Sequence, residues 1–153
     1  MRRMILTCVC AGLWSAATLS AQPSPRTVSA VRLTLQRVDQ VALDFGVDTS
    51  AMRHQVIRRL GDVGITVANA TDLPELVIQV RVPKRLAPVD AGLLLVHLEL
   101  RDAESSPVQR TIWNDQSGDT RFTTYGSLRE LVPERVARGL DALATAHAST
   151  ETR

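Results

Sequence analysis

Glu75-Leu76-Val77-Ile78-Gln79-Val80-Arg81-Val82 decides the fold. Leu76, Ile78, Val80 and Val82 recur with period two while Gln79 and Arg81 fall between them, the alternation of a strand with one face buried, and Pro83 ends it because proline cannot donate to a ladder. Residues 93–101 repeat the pattern: Leu94, Val96, Leu98 and Leu100 share one face, and Leu93, Leu95, His97, Glu99 and Arg101 the other. A loop over residues 84–92, with a second proline, joins the two strands.

Upstream, residues 28–35 alternate with Val31, Leu33 and Leu35 on one side and Arg32 and Thr34 on the other, giving a first strand. Residues 41–47 also alternate, but Asp39-Gln40 is a poor hairpin turn and Gly46 interrupts, so this stretch reads as a loop over the core edge. Asp48 fits an N-cap for a helix that places Met52, Val56, Ile57, Leu60 and Val63 on one side, with Gly64 as its stop. Residues 65–68 form a short strand, and residues 69–74 a turn by composition.

Downstream, residues 108–114 read as a strand whose facing is ambiguous, and residues 121–125 continue strand character. Ser127 and Glu130 then have the spacing of a capping box. The last helix carries Val132, Val136, Leu140 and Leu143 on one stripe, with Pro133 either kinking it or marking its first turn. The order β-α-β-β-β-β-α predicts an α+β two-layer sandwich: a mostly antiparallel sheet of four to five strands, with both helices on one face.

At 153 residues the chain is one domain in length. Arg2 and Arg3 precede an apolar run over residues 4–19 that closes on Leu19-Ser20-Ala21, the layout of a secretory signal peptide over residues 1–21. Residues 22–27, with two prolines, read as a flexible tether, residues 28–148 as the domain and 149–153 as a disordered tail. The leader takes with it both cysteines, Cys8 and Cys10, so neither a disulfide framework nor a thiolate nucleophile is expected in the exported domain. Past residue 21 the chain holds 16 basic and 16 acidic side chains and four aromatics, which argues against nucleic acid as a partner. No membrane anchor is expected after cleavage, and the destination is the periplasm or the medium.

The residues that could carry chemistry have simpler readings. His54 lies opposite the apolar stripe of its helix, and His147 near a helix C-terminus suits a cap on the last carbonyls. His97 shares a strand face with Glu99, the one pair from which a hydrolase could be built. Ser127 is a cap rather than a nucleophile, since no G-x-S-x-G turn surrounds it. Gly61 and Gly64 end a helix rather than open one at a phosphate. Asp115, Ser117 and Asp119 lack the glycine and glutamate of a calcium loop. Asn69-Ala70-Thr71 is a glycosylation sequon on a turn, and Arg81, Lys84 and Arg85 form a small solvated basic cluster. No catalytic, cofactor or metal residue is assigned.

What remains is the sheet face the helices leave bare, carrying Val77, Leu93, Leu95 and Trp113 among polar side chains. An apolar centre with a charged rim is what a protein contact needs. Arg59-Leu60-Gly61-Asp62-Val63-Gly64-Ile65, the segment 73–80 and Trp113, taken with the leader and the element order, are similar to the outer-membrane lipopolysaccharide-assembly lipoproteins. The resemblance implies an envelope location and a sheet-plus-helices plan, and transfers no functional residue. Those lipoproteins carry a cysteine at the cleavage site, which this chain lacks. The expected function is thus a non-enzymatic, exported, protein-binding or envelope-assembly module. A small-molecule or lipid carrier with a cleft between helices and sheet is the alternative, and a hydrolase a third reading.

Overall fold

A computed structural model describes residues 28–83, 92–103, 110–115 and 120–151. The expected leader and tether, residues 84–91 of the 84–92 loop with Lys84 and Arg85, residues 104–109 and residues 116–119 of the polar connecting segment fall outside these residues. The order is β1 (Ala30–Val38), α1 (Gln40–Asp44), α2 (Thr49–Asp62), β2 (Thr66–Val67), β3 (Glu75–Arg81), β4 (Gly92–Arg101), β5 (Thr111–Asn114), β6 (Thr120–Phe122), a 3₁₀ turn (Tyr125–Ser127) and α3 (Leu128–Glu151). This is the expected α+β plan, with a mixed sheet ordered β2-β1-β3-β4-β5 and β6 also paired to β4.

The pairing directions refine the expectation of a mostly antiparallel sheet. β1 runs parallel to both neighbours, joining β2 through Ala30↔Thr66 and β3 from Arg32↔Glu75. β3, β4, β5 and β6 are joined by antiparallel ladders. A register shift between Leu35 and Arg37 lets Gln36 and Arg37 both stay exposed while Val38 returns to the side of Val80. Strict alternation would have sent Arg37 toward the core.

Residues 41–47 are not a loop throughout: Gln40–Asp44 is a short helix that buries Ala42 completely. Asp39 anchors it, its carboxylate accepting from the Val82 amide at 2.9 Å and from Arg37 Nε at 3.0 Å. In α2, Asp48 caps as expected, accepting from the Ser50 and Ala51 amides at 2.8 and 3.0 Å. Gly64 follows the helix at φ +79°, a conformation glycine adopts without Cβ strain. The buried stripe is narrower than expected, since Met52, Val56 and Leu60 are buried but Ile57 and Val63 are exposed on its flank.

Val132, Val136, Leu140 and Leu143 bury one side of α3 as the spacing predicts. Pro133 lies inside that helix, and its carbonyl accepts from Gln55 Nε2 of α2 at 3.4 Å. α3 also runs to Glu151, so its last turn occupies positions expected in the tail. Gly139 sets the approach of α3 to the sheet: a Cβ there would stand 2.9 Å from both Leu98 methyl carbons. Between helices and sheet Met52, Leu60, Leu76, Ile78, Leu94 and Leu98 are fully buried.

Candidate functional site

Register alone sorts the side chains of the bare face into rows. The first runs Arg32, Glu75, Arg101 and Thr111 across β1, β3, β4 and β5; the second runs Thr34, Val77, Glu99 and Asn114. Charge alternates along the first row, and the carboxylates are shared downward and sideways. Arg32 Nη2 lies 3.1 Å from Glu75 Oε1, which also accepts from Thr34 Oγ1 at 2.7 Å. Arg101 Nη2 donates to Glu99 Oε2 at 2.7 Å, and Thr111 Oγ1 donates to Glu99 Oε1.

Val77 lies between Thr34 and Glu99 in the second row and is 1% exposed, although it stands apart from the main core. Val77 is therefore not part of the expected open apolar centre but is buried among two arginines and two glutamates, a plate whose charges balance. Trp113 also leaves the bare face. It pairs with Leu100, which faces the helices, and packs against the main core. Opposite-charge neighbours on adjacent strands stabilise a sheet by a few tenths to about 1 kcal/mol each, so the plate is a structural device first.

The hydrogen bond from Arg101, aided by the Thr111 hydroxyl and opposed by partial burial, holds the Glu99 carboxyl below its ordinary range. A depressed folded-state value gives stability that is complete above the unfolded value of about 4.3 and is lost as pH falls through the folded one. Arg101→Met is therefore expected to lower stability at pH 7 by about 1 kcal/mol and to flatten the loss between pH ~4.3 and lower pH. Urea unfolding across that range measures both, and an unchanged acid limb would remove the ionic role from this pair.

His97 Nε2 lies 3.9 Å from Glu99 Oε2, with its side chain 44% exposed. Glu99 already accepts from Arg101 and Thr111, so its carboxylate is committed to the plate rather than to orienting His97. His54 is exposed, its Nδ1 2.9 Å from the Ser50 carbonyl. His147 does not cap: α3 continues past it, and Nε2 is buried without a hydrogen-bond partner among the described residues. Ser127 sits just ahead of α3 but donates its hydroxyl to the Thr124 carbonyl at 2.7 Å, serving the 3₁₀ turn instead of the expected box. Asn69 is exposed on its turn, and Asp115 is buried beside α3.

Beyond the plate the face changes character. Gln79 opposes His97 and donates to Gln36 Oε1 at 2.6 Å. Next come the pairs Arg81↔Leu95 and Leu93↔Arg121, with both leucines half-buried and both arginines exposed. Leu93 and Leu95 are thus the two of the four apolar candidates that are both accessible and on the bare face. Arg121 was not singled out in the sequence because only the β4–β6 pairing brings it beside Leu93. On the opposite layer, α2 and α3 leave a groove of about 560 Å³ lined by Arg58, Leu60, Val63 and Leu140 and crossed by the Arg59–Asp141 ion pair.

The chain matches no protein-family model and no curated protein sequence. Among solved structures it is similar to rare lipoprotein B from Shewanella oneidensis, at 18% identity and a TM-score of 0.41, over 79% of this chain and 96% of that one. It is also similar to a minor lipoprotein from Acinetobacter baumannii, at 13% identity and a TM-score of 0.35, over 82% of this chain and 94% of that one. Among the described residues, no helix is long and apolar enough to cross a membrane.

Proposed function

We propose that this chain is an exported, non-enzymatic accessory domain of the cell envelope that binds another protein through the bare face of its sheet. The observation that carries the reading is the pair Leu93 and Leu95, half-buried on a face that none of the described helices covers, while the other half of that face pairs its own charges, Arg32 with Glu75 and Arg101 with Glu99. The leader-like first 21 residues support the location. Among the described residues of that face, the Leu93/Leu95 end is the part with apolar surface left to bury, and burial of such surface is the main source of association free energy.

Leu95→Asp is expected to leave the far-UV circular dichroism and the thermal midpoint close to the parent's. It is expected to weaken partner capture by about 30-fold, the loss of one central anchor. Crosslinking of the tagged, exported chain in its native cells, quantified by mass spectrometry, reads this out. Unchanged capture by a folded Leu95→Asp variant would discard the sheet face as the docking surface.

A further inference from the structure

The charges around Leu93 and Leu95 say more about the partner than the leucines do. On the bare face Glu75 and Glu99 are both engaged within the plate, by Arg32 and Arg101. At the other end, Arg81 stands across from Leu95 and Arg121 across from Leu93, so an arginine flanks the leucine pair on each side. Neither arginine side chain has an ion-pair or hydrogen-bond partner among the described residues, and both are exposed. Among the described residues the face is therefore neutral where it is sealed and doubly positive where it is apolar.

We infer that the partner presents an acidic, apolar segment to this end of the sheet, with apolar side chains on Leu93 and Leu95 and carboxylates reaching Arg81 and Arg121. The inference rests on the proposed docking at the bare face and names the chemistry of what docks. The arginines lie on β3 and β6, on either side of β4 and offset by two residues along it, so two strand spacings and two residue rises put their Cα atoms roughly 12 Å apart. A segment crossing the face meets a cation, an apolar strip and a second cation in turn. Guanidinium groups pair with carboxylates in bidentate geometry, which fixes orientation as well as adding affinity. Two guanidinium groups set on either side of an apolar pair match carboxylates spaced along a polypeptide.

The test places a photo-crosslinking phenylalanine analogue at Leu95, and separately at Ile57 on α2 as a control, in the full chain exported in its native cells. The crosslinked species are sequenced by mass spectrometry. The expected product at Leu95 is a peptide rich in Asp and Glu with apolar residues between them. Its yield is expected to fall about tenfold in Arg81→Glu/Arg121→Glu, two exposed pairs lost, and to fall with added salt. Arg81→Lys/Arg121→Lys, which keeps the charge, retains most of the yield.

A Leu95 product that is a peptide without carboxylates, or a lipid, overturns the inference, as does a yield insensitive to charge reversal. A peptide without carboxylates would leave docking at the bare face standing. Strong crosslinking from Ile57 with none from Leu95 would instead overturn the docking face itself, and no product from either position would overturn both.

Discussion

Val77→Asp is expected to cost about 4 kcal/mol, enough to leave much of a marginally stable domain unfolded at room temperature. Val77 is 1% exposed among charges that already pair with one another, so a new carboxylate there is buried without a partner of its own. Burial raises its protonation range, so the deficit against the parent narrows as pH falls toward about 4. Val77→Thr, with nearly the same volume and a hydroxyl, is expected to fold. Urea unfolding of these variants beside Leu95→Asp separates the two halves of the face: one aspartate unfolds the chain, and the other is tolerated. Equal tolerance of both would mean that the plate does not seal Val77.

Leu98→Ala is expected to cost about 3 kcal/mol, because Leu98 is fully buried and its loss opens a cavity under α3. The informative partner is Gly139. In the parent, Gly139→Ala sets a methyl 2.9 Å from both Leu98 Cδ atoms and 3.0 Å from Asp115 Oδ2, and the overpacking outweighs the helix-propensity gain of about 1 kcal/mol. Once the Leu98 methyl groups are gone, the same alanine fills vacated space and keeps the propensity gain. The double variant is therefore expected to be more stable than Leu98→Ala alone, with a coupling of about 1 kcal/mol or more in a double-mutant cycle. Strict additivity would show that α3 rides on the sheet without this contact.

The elements that were legible share one property, a local pattern. β3 and β4 alternate, α2 has a capping Asp48 and a stopping Gly64, and α3 has its four-residue stripe. What escaped depends on residues far apart in the chain. The helix at Gln40–Asp44 lies in a stretch that alternates like a strand, and it is anchored by an Asp39 carboxylate bound to the distant Val82 amide. Trp113 took its facing from the register with Leu100, and no reading of residues 108–114 alone could supply that.

The site divides the same way. Leu93 and Leu95 were legible as a bare-face pair because alternation fixes which side they take. The plate around Val77 was not, because it needs Arg32, Glu75 and Thr111 brought beside Glu99 and Arg101 from three other strands. Glu99 and Arg101 two residues apart on one strand were the visible part of that signal. The adjacent Gln36 and Arg37, breaking an otherwise regular alternation, were the visible sign of the β1 register shift.

The placement of β1 bears on how the domain carries load. Its first residues lie between β2 and β3, parallel to both, so a pull on the chain ahead of Val28 acts along an inner strand and not at an edge. Hydrogen bonds on both flanks lie across such a pull and are strained together, in shear, whereas an edge strand peels away one bond at a time. The end of the domain that an N-terminal attachment would tug on is built as a mechanical clamp.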